Sequence, residues 1–363
     1  MRVKTTQLIP GCILLKNVFG PSGKVLIPEN TILTERHITV LKNFLIDFVD
    51  ISRKLKNGDL FQPNDVDEKI DEKINIPQLE DQPFDTHYIE LVQRFKKMFL
   101  QWEKNIAVNV PLLYRLMNPL FNRLEEIGSE VFRIQKYSTK EDYLYHHCVA
   151  ISLLATYIGK KMGLPENEQI ELGMAALLSD SGMSKLDHFY KEDRPLSEDE
   201  INKMKQHPIY SYRMVERDKT LPKHAKMAML QHHERIDGTG YPLALKKDEI
   251  HPYAQVIAVC DVYHAITCER SFVNKKSPFK AIEELQKKQF SRLDPEIVML
   301  FIDSLTNFSV GTQVKLSNNK IGEVVFINKN KPTRPMVKII KDDEIIVLEN
   351  EPHLFIEEVV EIE

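Results

Sequence analysis

The chain has little cysteine, glycine and tryptophan for its length: four cysteines, thirteen glycines and a single tryptophan among 363 residues. Cys12, Cys148, Cys260 and Cys268 form no CxxC pair and no dense spacing, which gives a zinc knuckle or a disulfide framework little support. Cys148 and Cys260 lie within apolar helical patterns, where a small buried thiol is the ordinary reading. No apolar run approaches the roughly eighteen residues that a membrane span needs. The first ten residues alternate polar and apolar and offer no signal-peptide core, so a cytoplasmic protein is expected. An excess of either charge is also missing. Lys+Arg 49 against Asp+Glu 53 leaves −4, which argues against DNA as a partner but not against a small anionic ligand.

What is present is a 42% hydrophobic fraction, enough for a sizeable core, in a chain long enough for two or three domains. Residues 1–53 read as a small α+β domain. Strands are expected at Ile13-Leu14-Leu15, Val25-Leu26-Ile27 and Phe48-Val49-Asp50-Ile51, with a turn at 20–23 and a Thr34-capped helix through Leu45. Residues 54–85 are acidic and carry Pro63, Pro77 and Pro83, the composition of a linker. Residues 86–137 form a helical lead-in to a helical core over 138–305. There Ser138-Thr139-Lys140-Glu141 reads as a capping box, and Leu144, His147, Ile151, Leu154 and Ile158 recur at helical spacing. Pro165 opens the next helix and Ser197-Glu198-Asp199-Glu200 caps another. Beyond residue 306 the period falls to two, which predicts a small β-barrel over 306–363 whose basic loop (Lys329, Lys331, Arg334) reads as a solvated turn. The fold class expected is mainly α, a helical bundle between two small terminal domains.

The helical region contains metal-type ligands in the order His147, Asp180, His207, His232, His233 and Asp261. Imidazole with carboxylate suits iron, manganese or zinc better than magnesium alone. Taken singly, His147 reads as a packed core histidine and Asp180 as a helix cap. Asp261 lies inside the apolar run Val256-Ile257-Ala258-Val259-Cys260-Asp261-Val262-Tyr263, where an unpaired carboxylate would cost several kcal/mol. It needs a cation, a hydrogen-bond network or a proton. His232-His233-Glu234 passes straight into Asp237-Gly238-Thr239-Gly240-Tyr241-Pro242, where Gly238 and Gly240 allow positive φ and let the chain fold back on the histidines.

Together with Asp180-Ser181-Gly182, Gln206-His207-Pro208 and Ala258 to Tyr263, these stretches resemble the HD-GYP family of HD-superfamily cyclic di-GMP phosphodiesterases. The resemblance implies an all-helical domain with a centre of two or three metals, iron or manganese first. Asp180 would bridge two positions. His207, His232 and His233 would complete one, and His147 and Asp261 would serve the other. Asp180 and Asp261 are the implied catalytic carboxylates, Tyr241 and Arg270 the substrate-binding residues. The implied partners are cyclic di-GMP or a related dinucleotide, a diguanylate cyclase or other signalling protein docking through the GYP loop, and a second copy of the chain.

Several positions depart from that pattern. Ser179 stands where the family has a ligating histidine, Met183 where it has a phosphate-binding lysine, and Tyr143 where members with a third metal have glutamate. Gln255 and Val273 replace basic residues. One metal position is then complete and the second incomplete, and each such loss typically costs about ten- to a hundred-fold. Impaired hydrolysis is expected; the alternative is a catalytically inactive module that binds a dinucleotide or a protein. His264, one turn after Asp261, could supply the missing imidazole, or simply pack or bond to Asp261. Lys185 is expected to point elsewhere than the Met183 position.

Overall fold

The computed structural model describes residues 2–19, 25–43, 46, 48–61, 82–192, 194–269, 275–289, 291–306, 309–328 and 331–360. The expected turn at 20–23, the helix end at Leu45, most of the acidic linker, Arg270, Val273 and Lys329 lie outside them. Among the described residues the chain divides into two compact units, Met1–Leu79 with Pro111–Arg115, and Glu80–Val110 with Leu116–Glu363.

In the first unit, strand β1 (Arg2–Lys4) pairs antiparallel with β4 (Phe48–Asp50), and β2 (Val18–Phe19) with β3 (Val25–Ile27). Helix α1 (Glu35–Asn43) begins where Thr34 Oγ1 accepts from His37 N at 3.3 Å, the expected cap. Val3, Leu14, Ile38, Leu41 and Val49 form its core. Ile13 and Leu14 make isolated bridges to Ile32 and Ile51 rather than a strand. The packing continues past residue 53, because Lys54 bridges to Leu60 and Phe61 joins the core.

The second unit is helical up to residue 305; the Pro111–Arg115 stretch of one helix groups with the first. Its elements are α2 (Phe84–Glu103), α3 (Val110–Asn122), α4 (Tyr143–Lys161), α5 (Glu166–Ser179), α6 (Glu198–Met204), α7 (His207–Val215), α8 (Lys223–Gln231), α9 (Pro252–Thr267), α10 (Pro278–Glu284) and α11 (Pro295–Leu305). Helix α4 is buried all round from Tyr145 to Gly159, as its lack of a polar face requires. It lies tight against α5: Ser152 Oγ donates to the Gly173 carbonyl at 2.7 Å, and a Cβ on Gly173 would meet Thr156 Oγ1 at 2.1 Å. Only glycine fits there. Phe132 meets Tyr263 of α9 and Phe301 edge to face, and Tyr263 packs tilted on Phe301, burying the back of the helix that carries Asp261.

Two capping expectations come out differently. The box at Ser197 and Glu200 is complete in both directions. At Ser138–Glu141 no box forms, because the 3-10 segment Gly128–Tyr137 delays the helix until Tyr143.

The C-terminal strands β5 (Gln313–Leu316), β6 (Ile321–Phe326), β7 (Met336–Ile339), β8 (Ile345–Val347) and β9 (Ile356–Val359) make one antiparallel sheet in the order β8-β7-β6-β5-β9. The sheet is open, not the closed barrel expected. Closure would pair β8 with β9. The helical domain meets the β9 backbone instead: Ser277 Oγ donates to Ile356 O at 2.9 Å and Arg133 Nη2 to Val359 O at 3.0 Å. Arg334, expected in a solvated turn, is buried against Glu283 of α10. It also donates to the carbonyls of Leu348, Glu351 and Leu354. Lys331 pairs with Glu349 on the surface.

Candidate metal centre

Helix ends bring the candidate ligands together. Asp180 is the residue on which α5 stops, His207 opens α7, and His232 and His233 follow the last residue of α8. Imidazoles at the carboxyl end of α8 sit at the negative pole of its dipole, which favours a cation. Asp180, His207, His232 and His233 can each present a donor atom within 4.8 Å of the others.

The tautomers of His207 and His232 follow from their partners. His207 Nδ1 faces the Met204 carbonyl and His232 Nδ1 the Met229 carbonyl, both at 2.7 Å. A carbonyl only accepts, so each Nδ1 carries the proton and each Nε2 is left with its lone pair. Those two Nε2 atoms stand 3.3 Å apart, with Asp180 Oδ1 at 3.1 Å from His207 and 3.8 Å from His232. Buried lone pairs gathered on one point need a cation between them, and the carbonyl partners are of the kind that orient metal-bound histidines. The residues present fit a divalent transition metal.

Asp180 turns its other oxygen the opposite way, placing Oδ2 at 3.4 Å from His147 Nε2. His147 Nε2 is also 3.1 Å from Asp261 Oδ1, and Asp261 Oδ2 lies 3.6 Å from His233 Nδ1. One carboxylate therefore spans two groups of candidate ligands. The electrostatics agree. Burial pushes Asp180 up, but His147, His207 and His232 hold it well below the usual carboxylate range. Asp261 is likewise pushed up by burial and held low by His147 and His233. Burial lowers His147, and its bonds to Asp180 and Asp261 more than offset this, raising it to about 9. Burial and the neighbouring His232 push His233 well down, into the neutral form that a ligand requires.

The altered positions are placed as follows. Ser179 is fully buried and its Oγ donates back to the Ala175 carbonyl at 2.8 Å, so it is spoken for within its own helix. Met183 is buried in the 3-10 turn Ser181–Lys185. Lys185 donates to the Trp102 carbonyl and to Asn105, away from the centre as expected. Gln255 Nε2 donates to the Ile250 carbonyl at 3.0 Å. His264 Nδ1 meets His147 Nδ1 at 3.0 Å, and Tyr143 Oη reaches the same nitrogen at 3.2 Å. His264 thus backs His147 on the ring nitrogen away from the carboxylates.

The GYP loop is held by a residue whose role the sequence did not reveal. Buried Glu234 accepts from Leu243 N at 2.7 Å and Leu245 N at 3.0 Å, tying the far side of the loop to the residue after the histidines. Asp237 Oδ1 accepts from Thr239 N and Oγ1 at 2.9 and 2.7 Å, closing the turn. Gly238 has φ +79, as expected, whereas Gly240 does not take a positive φ. Its need is closeness: a Cβ there would lie 2.4 Å from the backbone of Glu234 and Arg235. The loop lays the Tyr241 ring, which precedes Pro242, on His233 with centroids 4.7 Å apart.

A family model described as an HD domain matches residues 118–297, and one described as a KOW domain associated with HD domain matches residues 313–363. A cyclic di-GMP phosphodiesterase of Pseudomonas aeruginosa is 30% identical over 60% of this chain and 54% of its own length. The cyclic di-GMP phosphodiesterase PdeB of Borreliella burgdorferi is 29% identical over 59% and 56%. The chain spans about half the length of these curated relatives. An HDG"Y"P protein from Bdellovibrio bacteriovorus shares the fold, with TM-score 0.52 and 18% identity over 85% of this chain and 99% of that one. Among the described residues no helix is long and apolar enough to cross a membrane. Residues 118–297 belong to the HD-domain family, and a KOW domain of the kind associated with HD domains follows over residues 313–363.

Proposed function

We propose that the chain is an HD-GYP-type protein that binds a transition metal, iron or manganese, and acts on cyclic di-GMP or a related dinucleotide with impaired hydrolysis. The observation that carries the reading is the pair of Nε2 lone pairs 3.3 Å apart beside Asp180. The two phosphodiesterase relatives supply the substrate class. A divalent metal bound here supplies Lewis-acid charge to a phosphodiester. The chain's own part is to hold the carboxylates ionised, keep His207 and His232 in the Nδ1-protonated form, and position Tyr241 over His233. Asp180 and Asp261 meet the requirement for buried anions that stay charged. What weakens hydrolysis is local: Ser179 offers no nitrogen beside His147 and Asp261, and Met183 offers no charge.

A second reading, a catalytically inactive module that senses the dinucleotide or a protein partner, is favoured by the way Ser179 is sealed into its helix. One experiment separates the two. Ser179→His with Met183→Lys restores an imidazole and a cation, and should raise hydrolysis of cyclic di-GMP well over tenfold when iron or manganese is supplied, since single electrostatic groups are worth about 2.7–4 kcal/mol at a transition state. A wild type that already turns over as fast as the repaired variant contradicts the impairment. A repaired variant that binds a second metal and remains inactive favours the sensing module.

A further inference from the structure

The centre is not equally closed on all sides. His147, His207 and His232 are buried, whereas His233 and Asp261 keep 15% and 13% of their side-chain surface exposed. A ligand therefore reaches the centre from the side of His233, Asp261 and the Tyr241 ring. Two cations stand on that side, and no carboxylate lies within ion-pair reach of either among the described residues. Lys205, two residues before His207, is exposed, with its Nζ 6.0 Å from the centre of the Tyr241 ring. Arg235, two residues after His233, is partly buried and donates from Nη1 alone, to the carbonyls of His232 at 3.3 Å and Glu234 at 2.8 Å. Its Nε and Nη2 have no hydrogen-bond partner among the described residues. A largely desolvated guanidinium with three of its five N–H donors unused is costly unless an anion completes it.

We propose that Lys205 and Arg235 form the cationic wall of the centre, binding the non-bridging oxygens of a phosphodiester and supplying the charge that Met183 does not. This deepens the dinucleotide reading and rests on it for the identity of the anion. Geometry favours the assignment. The Ser181–Lys185 turn packs directly against α7, with the Gly182 Cα facing the His207 carbonyl so closely that a Cβ would meet it at 2.1 Å. Met183 and Lys205 thus flank the same ligand, His207, from different segments. Arg235 is fixed to the backbone between His232 and the GYP loop, so its free donors form a rigid fork suited to two phosphate oxygens. Lys205 is a mobile point charge at the mouth.

The test is calorimetric binding to the metal-loaded full chain, with cyclic di-GMP and, separately, inorganic phosphate as probes. Lys205→Ala and Arg235→Gln should keep their metal and bind cyclic di-GMP about ten- to a hundred-fold more weakly, as expected for loss of a charge-assisted contact. Lys205→Arg should bind as the wild type does, and Met183→Lys should restore affinity to Lys205→Ala. Lys205 is exposed, so its variants remain informative if Arg235→Gln fails to fold. Weaker phosphate binding in the variants, with no dinucleotide bound by the wild type, would support the wall and overturn the dinucleotide reading. Metal-loaded variants that bind both probes as tightly as the wild type would overturn the wall.

Discussion

At the residue scale the account turns on side chains that orient other side chains. The Met204 and Met229 carbonyls decide which nitrogen of His207 and His232 is free. Glu234 does the same for the loop, because the backbone N–H groups of Leu243 and Leu245 end on its carboxylate. Glu234→Gln keeps the shape but exchanges one acceptor for a donor that faces an N–H. It should cost about 1–3 kcal/mol and speed amide exchange at Leu243 and Leu245. Unchanged exchange at those two amides would show that the carboxylate does not hold the loop. Ser179 makes the opposite case: its hydroxyl is satisfied by Ala175, so its removal alone should change little.

At the scale of elements, the open C-terminal sheet depends on the helical domain for its edge. Ser277 and Arg133 meet the β9 carbonyls, and Arg334 joins Glu283 to three carbonyls of the 348–354 segment. Burial pushes Glu283 up, but Arg334 outweighs this and its carboxyl lies below the usual value. A carboxyl lowered on folding contributes stability above its unfolded pKa and loses it as pH falls through the folded value. Arg334→Ala should therefore cost about 3 kcal/mol near neutrality, with the gap to wild type closing as the pH drops below about 4. A gap that stays constant down to that pH would mean that the ion pair is not the source. The same contacts speak against a separable C-terminal domain, since a helical domain cut before residue 306 would expose Glu283 and the surface beneath β9.

At the scale of the whole molecule, what was legible was whatever repeats along the chain or ends a helix. The switch to period two after residue 306 and the box at Ser197 survive as read. What was not legible depends on contacts between distant segments. Strand periodicity cannot say whether a sheet closes, because that is decided by Ser277 and Arg133 from other elements. Arg334 looked like a loop cation because its partner lies in α10. The Ser138 box failed because the preceding 3-10 segment moved the start of α4. His264 shares a face with Asp261, but its partner is His147, on a different helix.

The central claim is that Asp180, His207, His232 and His233 hold a transition metal. The most direct measurement is the metal content of the purified full chain by mass spectrometry, beside His232→Ala/His233→Ala, with thermal unfolding of both. The wild type should carry about one equivalent or more of iron, manganese or zinc. The double variant should carry none and unfold at a lower temperature, because a bound metal stabilises only the folded state. Equal metal content in the two proteins would contradict the account.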